Sequence, residues 1–190
     1  MKNDLLTFDE EKHEYRLGAL LLPSVTQIIK GAGFIDDTHY NEFARLRGTF
    51  VHKSVKLYLN GRLNESNLDP VIQPYFLAFK DWESKIKPNY LQVETPSYNA
   101  EFQFAGTADL VIEYMGFVWI VDIKTGPPDK WHGQQTAGYT MLKSPFKAAK
   151  RAGLHLSKEG KFNFMPHDNK MDLMVFKSAC IVHNRKLGRV

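Results

Sequence analysis

The fold of this chain follows most directly from residues 106–124, which read GTADLVIEYMGFVWIVDIK. Two runs rich in β-branched and aromatic residues flank Met115-Gly116, and a two-residue turn at that point predicts an antiparallel hairpin. The register of this hairpin places Asp109 directly across from Asp122. Because side chains alternate between the two faces of a strand, Lys124 is expected on the same face as both carboxylates.

Two carboxylates at opposing strand positions repel one another, and the run from Val118 to Ile123 is apolar on both faces apart from Asp122. A hard divalent cation resolves this conflict, because Mg²⁺ takes oxygen ligands and is typically held by one or two carboxylates plus substrate phosphate oxygens. The pattern therefore predicts a magnesium site for phosphodiester hydrolysis at Asp109 and Asp122, where Lys124 orients the attacking water or adds positive charge. The alternative is a pair of unrelated surface carboxylates, one of them paired with the lysine.

The rest of the chain predicts helices and strands around this hairpin. Apolar residues recur at three- and four-residue steps in the helical segments, whereas β-branched and aromatic runs mark the strands. Helices are predicted at 25–30 with Ser24 as cap, at 40–59, at 70–85 with Asp69 as cap, at 130–143 with Asp129 as cap, and at 169–184. Strands are predicted at 6–8, 14–17, 91–98, 104–114, 117–124, 154–156 and 162–164. This order predicts an α/β fold, with a central mixed β-sheet containing an antiparallel three-strand meander and with helices on both faces.

Size and composition indicate one folded domain over residues 1–190. The chain has 190 residues, 43% of them hydrophobic, which is enough to bury a full core. Within this domain we expect an N-terminal hairpin and lid at 1–35, a catalytic core at 40–150, and a C-terminal hairpin and helix at 151–190. No apolar run approaches the length of a membrane span and no signal-peptide pattern opens the chain, so a soluble, cytoplasmic protein is expected.

The charge distribution and the cysteine and histidine content limit which partners and cofactors the chain can bind. The last fifty residues hold 11 basic and three acidic side chains, a net charge of +8. Such an excess suits a polyanion such as DNA, although a solvated lysine face is its commoner meaning. The lone Cys180 excludes an internal disulfide framework and an iron–sulfur cluster. The seven histidines have no paired ligand spacing, so the sequence predicts no zinc site.

These residues resemble the PD-(D/E)XK nuclease superfamily, and specifically its RecB-like exonuclease branch. The Asp-Ile-Lys-Thr-Gly run at 122–126 resembles that branch's metal-binding and lysine motif. The Gly-Thr-Ala-Asp run at 106–109 resembles the preceding aspartate motif, with Ala108 in place of the usual proline. Residues 47–52 resemble the helix motif whose histidine approaches the metal, and residues 135–139 resemble the motif with glutamine and tyrosine on the next helix. The motifs occur in this order over most of the chain.

The resemblance implies a restriction-endonuclease-like fold and a Mg²⁺-dependent deoxyribonuclease, with Mn²⁺ as a substitute and without an iron–sulfur cluster. Glu101 rivals Glu94 as the earlier acidic residue. The alternative for His52 is a polar core residue with its hydrogen bonds satisfied, and the alternative for Tyr139 is packing of its helix through Trp131 and Tyr139. The catalytic residues that it implies are His52, Glu94, Asp109, Asp122 and Lys124. The implied metal contacts are His52, Asp109, Asp122 and Ile123, and the implied substrate contacts are Arg47, Thr49, Gln135 and Tyr139.

The compact form is most similar to the standalone exonucleases of phages, bacteria and mitochondria. This implies an exonuclease of recombination, repair or replication that acts on DNA, single-stranded or with free ends, alongside a recombination or replication protein and away from membranes. Two alternatives stay open. A structure-selective endonuclease or junction resolvase would use the same chemistry, because end preference depends on the channel and lid rather than on the catalytic residues. A DNA-binding module without hydrolytic activity would keep the fold alone.

Overall fold

The computed structural model describes residues 5–36, 41–144 and 150–189. Within these ranges the chain forms the helices and strands in the predicted order, and no helix there has the length and apolar character needed to cross a bilayer. A short 3-10 turn at Glu65–Asn67 and a short strand at Leu20–Leu22 were not predicted. The elements are β1 (Leu6–Asp9), β2 (Glu14–Leu17), β3 (Leu20–Leu22), α1 (Val25–Gly31), α2 (Glu42–Leu59), α3 (Gln73–Ile86), β4 (Asn89–Asn99), β5 (Phe104–Tyr114), β6 (Phe117–Lys124), α4 (Trp131–Thr140), β7 (Lys150–Leu156), β8 (Phe162–Pro166) and α5 (Met171–Lys186).

A five-stranded mixed sheet in the order β4-β5-β6-β7-β8 forms the centre of the molecule. Strands β4, β5 and β6 make an antiparallel meander, and β7 runs parallel to β6 after the crossover through α4. Strand β8 returns antiparallel to β7, while β1, β2 and β3 form a separate antiparallel sheet. The predicted fold class, α/β with a central mixed sheet built on an antiparallel meander, is confirmed.

The hairpin between β5 and β6 has the predicted turn and register. Both residues of Met115-Gly116 have positive φ, 51° and 73°, which is the backbone of a type I′ turn and matches the twist of the flanking strands. From this turn the strands pair in register as far as Leu110 and Val121, which both belong to the core beneath α2 and α3. The next residue of each strand, Asp109 and Asp122, therefore faces the opposite side of the sheet.

Apolar side chains cover both faces of the central sheet, as predicted. One core lies between the sheet and helices α2 and α3 and includes Phe79 and Trp82. The other lies under α1, α4 and α5, where the rings of Phe104 and Phe176 pack edge to face with centroids 5.2 Å apart. Full burial of such a side chain contributes about 2 kcal/mol to folding, so each face supplies substantial stability. Tyr15 joins the N-terminal sheet to β5 through a smaller cluster.

The start of α3 differs from the sequence prediction. The helix begins at Gln73, and Asp69 does not cap it, since the Asp69 carboxylate accepts the Val71 N–H in the preceding turn. Pro74 lies in the first turn of the helix, where its missing N–H costs no hydrogen bond. Residue 40, the predicted start of α2, lies outside the described residues.

Helix α4 is also shorter than predicted. It ends at Thr140, because the chain then turns to pair with β4 and the Lys143 N–H donates to the carbonyl of Tyr98 at 2.8 Å. The Asp129 side chain does not cap it. Instead, the backbone N–H of Asp129 donates to His132 Nδ1 at 3.1 Å. The predicted existence of this helix is confirmed, and its predicted cap and end are wrong.

Three histidines near α4 are expected to make the free energy of unfolding depend on pH. Burial, with a smaller effect of Lys124, lowers the pKa of His132 to about 3. Burial, with a smaller effect of Arg151, lowers the pKa of His167 to about 4, and burial also lowers the pKa of His155. An unperturbed histidine has a pKa of 6.5, so below that pH the unfolded chain binds more protons than the folded one. The contribution of these neutral histidines to the free energy of unfolding is therefore fully present above pH 6.5. It is lost as the pH falls from 6.5 toward the pKa values of the folded state.

We therefore expect the urea midpoint of unfolding to fall steadily from pH 6.5 to about pH 4.5, because protons bind preferentially to the unfolded chain. Replacement of His132 by glutamine should flatten this slope, since the variant has one histidine fewer to protonate on unfolding. The measurement is a set of urea titrations across that pH range. A variant whose slope equals that of the wild type would show that burial does not hold this ring neutral.

Candidate metal and catalytic site

Three carboxylates lie side by side across adjacent strands of the meander. The β4–β5 ladder pairs the residues on either side of Glu94 and Asp109, so these two face each other, and the β5–β6 register places Asp109 beside Asp122. Asp109 is 9% exposed and Asp122 is 2% exposed. Glu94 has a positive φ of 40°, a backbone conformation that costs energy for a residue with a side chain and that concentrates at functional sites. We call these three residues the carboxylate row.

Asp109 is held from two directions. Its Oδ1 lies 3.2 Å from His52 Nδ1 on α2, and its Oδ2 accepts the backbone N–H of Ile123 at 2.6 Å. Burial raises the pKa of Asp109, but His52, Lys124 and the Ile123 N–H outweigh this effect and hold it below its usual range. Burial lowers the pKa of His52, and Asp109 overcomes this and raises it to about 9. At neutral pH the two side chains therefore form an ion pair.

Lys124 occupies a defined position between Asp122 and α4. Its Nζ lies 2.6 Å from Asp122 Oδ2, donates to Gln135 Oε1 at 2.7 Å, and lies 4.9 Å from the ring centre of Trp131. Burial and repulsion from Asp109 raise the pKa of Asp122 despite the opposing effect of Lys124. The lysine is thus the cation that compensates the most buried member of the carboxylate row.

Gln135 and Tyr139 lie behind Lys124. Gln135 Nε2 donates to the Tyr139 hydroxyl at 3.1 Å and to Thr26 Oγ1 at 3.2 Å, and the two α4 side chains are only 6% and 8% exposed. The sequence predicts substrate contacts for both. The structure brings them together on one helix face, as their four-residue spacing requires, and places Gln135 where it orients the lysine.

Glu94 connects the site to the N-terminal hairpin. Lys56 Nζ lies 3.1 Å from Glu94 Oε2 and 2.9 Å from Oε1 of Glu10, which lies in the turn between β1 and β2. Burial and the nearby Asp109 raise the pKa of Glu94 against the effect of Lys56. The rival carboxylate, Glu101, is exposed in the β4–β5 loop. The sequence patterns did not identify Lys56 as part of the site, although it lies one helical turn after His52 on α2.

The remaining predicted residues have backbone contacts in the structure. The Arg47 guanidinium donates to the Thr125 carbonyl at 3.1 Å and lies 5.2 Å from the ring centre of Tyr75, so it ties the loop after β6 to α2 and α3. Thr49 is exposed, and its hydroxyl donates to a carbonyl one turn earlier in α2. The side chain of Ile123 is 2% exposed and apolar, so only its backbone can contact an ion.

The donor set fits a divalent cation. His52, Glu94 and Asp109 each offer one ligand atom, and these atoms all lie within 4.8 Å of one another. Two carboxylates with one imidazole suit a divalent ion that prefers oxygen and accepts nitrogen, such as Mn²⁺, and a carboxylate-rich site also suits Mg²⁺. Asp122 lies next in the row, with Oδ2 paired to Lys124. The cluster is therefore compatible with a divalent metal, and its geometry alone does not select which one.

Comparison with known proteins gives distant structural similarity only. No family model and no curated protein matches the sequence. The chain is similar to the solved structure of SSO0001, with 14% identity, coverage of 87% of this chain and 75% of that one, and a TM-score of 0.46. It is also similar to an alkaline exonuclease from Laribacter hongkongensis, with 8% identity, coverage of 88% and 92%, and a TM-score of 0.44. At these values neither similarity assigns a family or an activity, and the functional argument depends on the site itself.

Proposed function

We propose that the protein is a metal-dependent deoxyribonuclease that hydrolyses phosphodiester bonds. The observation that carries this proposal is the carboxylate row beside Lys124. Buried carboxylates on neighbouring strands raise the energy of the folded protein unless cations compensate them. Lys124, His52 and Lys56 pair with Asp122, Asp109 and Glu94, and Lys56 also pairs with Glu10, so three cationic groups face four carboxylates. A divalent ion together with a phosphodiester supplies the charges that this arrangement lacks.

The residues of the site have separate proposed roles in metal binding and in catalysis. Glu94, Asp109 and Asp122 are the carboxylates that would hold the ion, and His52 either completes its shell or orients Asp109. A bound Mg²⁺ or Mn²⁺ would stabilise charge on the phosphate and lower the pKa of a water molecule. Lys124, aimed by its hydrogen bond to Gln135, places an ammonium at the phosphate or at the attacking water.

DNA, single-stranded or with free ends, is the proposed substrate, and exonuclease action is the proposed mode. The +8 charge of residues 141–190 supports binding to a phosphate backbone. The contact from Glu10 through Lys56 to Glu94 supports the mode of action, because it places the N-terminal hairpin against one side of the carboxylate row. A site that the hairpin covers on one side admits the end of a DNA strand more easily than an internal segment of DNA.

The test compares end-labelled linear single-stranded DNA with closed single-stranded circles in the presence of Mg²⁺ or Mn²⁺. We expect the linear substrate to be degraded from an end while the circles persist, because circles offer no terminus. Cleavage of the circles would contradict the exonuclease assignment and favour a structure-selective endonuclease. DNA binding without cleavage of either substrate would contradict the nuclease proposal itself and favour a binding module.

A further inference from the structure

Two histidine side chains converge beside strand β6, on the same face of the sheet as the carboxylate row. Gly153 of β7 pairs with Asp122, and His155 pairs with Lys124. A Cβ atom added at Gly153 would lie 3.0 Å from His155 Nε2 and 3.2 Å from His167 Nε2. Both ring nitrogens therefore border the position that a side chain of residue 153 would occupy, and the space between the two rings and this strand is open only because residue 153 is glycine.

The Nδ1 atom of each ring lies within hydrogen-bonding distance of an oxygen, and for His155 this contact fixes which nitrogen carries the proton. His155 Nδ1 lies 3.0 Å from the Gly126 carbonyl, which can only accept, so His155 donates there and its Nε2 holds a lone pair. His167 Nδ1 lies 2.9 Å from Thr136 Oγ1, and that hydroxyl is within 3.1 Å of the Gly133 carbonyl. When this hydroxyl donates to the carbonyl it accepts from His167, and in that tautomer the Nε2 atom of His167 also holds a lone pair.

One of these nitrogens lacks a partner. His155 is 7% exposed, and its Nε2 has no hydrogen-bond partner among residues 5–36, 41–144 and 150–189. A buried acceptor of this kind destabilises a protein unless a ligand satisfies it. Histidines that bind metal ions have the same arrangement, in which one ring nitrogen donates to an oxygen and thereby directs the lone pair of the other toward the ion.

We propose that His155 and His167 bind a transition-metal ion of the zinc class through their Nε2 atoms. Neutral imidazole nitrogen prefers Zn²⁺, Ni²⁺ or Cu²⁺ to Mg²⁺, so this site differs in chemistry from the carboxylate row. A cleft of about 440 Å³ is lined by His167 and by Asp168, and also by Asp172, which is paired with Arg151. This cleft gives an ion a route to the His167 ring. Water molecules would complete the shell, because no third histidine, cysteine or carboxylate of the described residues forms a metal-binding group with these two histidines.

The sequence does not reveal this site, because its two ligands lie on separate segments of the chain. His155 lies within β7, whereas His167 follows β8, and the β7–β8 hairpin folds it back so that its N–H donates to the Arg151 carbonyl at 2.8 Å. The hydrogen bond from His155 to Gly126 also links the site to the loop that follows Lys124. An ion held here would restrain that loop, and this role does not depend on the proposed nuclease activity.

The test measures Zn²⁺ binding by competition with a chelating dye. It uses the full chain carrying Asp109→Asn together with Glu94→Gln, so that two of the three carboxylates of the carboxylate row cannot bind the ion. We expect one zinc ion per chain, and a loss of affinity of at least about tenfold when His155 or His167 is replaced by glutamine. Gly153→Ala should weaken binding similarly, because its methyl group fills the space while both histidines remain. His183→Gln, on α5, is the matched control and should bind as the parent does.

Anomalous diffraction at the zinc edge from soaked wild-type crystals provides a second measurement that needs no substitution. The expected result is a peak over Gly153, within bonding distance of both Nε2 atoms. Equal zinc affinity in the histidine variants and their parent, or a density over Gly153 without anomalous signal, would overturn the proposal. Either result would assign the space to an ordered water molecule.

Discussion

Replacement of Asp109 by asparagine is expected to lower the rate of metal-dependent DNA cleavage by at least about a thousandfold. Asp109 is the centre of the carboxylate row, and it contacts both His52 and the backbone of β6. Asparagine keeps the size of the side chain and can still accept the Ile123 N–H, so the fold should survive. It removes the negative charge that pairs with His52 and with the ion. The measurement is the single-turnover cleavage rate, together with the Mn²⁺ affinity.

The matched control for this substitution is Glu113→Gln. Glu113 also lies on β5, but it is exposed and four residues along the strand from Asp109, so its replacement should leave the cleavage rate within about twofold, as expected for a surface change. If Asp109→Asn kept more than a tenth of the wild-type rate while remaining folded, Asp109 would not be a ligand of the catalytic ion.

Lys124→Ala is expected to reduce cleavage by about a hundred- to a thousandfold, the usual effect of removing one group that stabilises transition-state charge. DNA binding should change little, because one ammonium among many basic groups is lost. The variant also leaves the Asp122 carboxylate, 2% exposed, without its ion-pair partner. We therefore expect its unfolding midpoint to fall in metal-free buffer and to recover partly with Mg²⁺.

Thermal unfolding with and without Mg²⁺ distinguishes the two effects of Lys124→Ala. The control is Lys130→Ala, an exposed lysine just before α4, which should cleave DNA and unfold as the wild type does. Cleavage by Lys124→Ala at a rate close to that of the wild type would exclude the lysine from catalysis. A drop in stability that Mg²⁺ does not reduce would argue that the ion does not bind beside Asp122.

The hairpin that contains the site could be predicted from sequence because its signals are local. The Met115-Gly116 turn fixes the register, and strand alternation then places Asp109, Asp122 and Lys124 on one face. Whether these residues act in catalysis is a separate question that the register does not answer. The start of α3 and the end of α4 were predicted wrongly, since both depend on turn contacts and tertiary pairing that helical periodicity does not report.

The surroundings of the site depend on contacts between distant segments. Gln135 hydrogen-bonds to Thr26 of α1 across a sequence separation of 109 residues. Lys56 contacts Glu10 across a separation of 46 residues. No local pattern encodes such pairs. The nitrogen of His155 that carries the lone pair is determined by the hydrogen bond to the carbonyl of Gly126. The position of a backbone carbonyl cannot be predicted from a sequence pattern. Sequence alone therefore places the charged residues on the sheet, and only the tertiary structure shows which side chains orient them.

The most direct test of the account is anomalous diffraction from crystals soaked in Mn²⁺. The account predicts a single strong region of signal at the carboxylate row, with Asp109 and Asp122 oxygens bound to manganese and with Glu94 or His52 completing the protein ligands. Manganese absent from this row, in crystals of protein that cleaves DNA with Mn²⁺, would contradict the account.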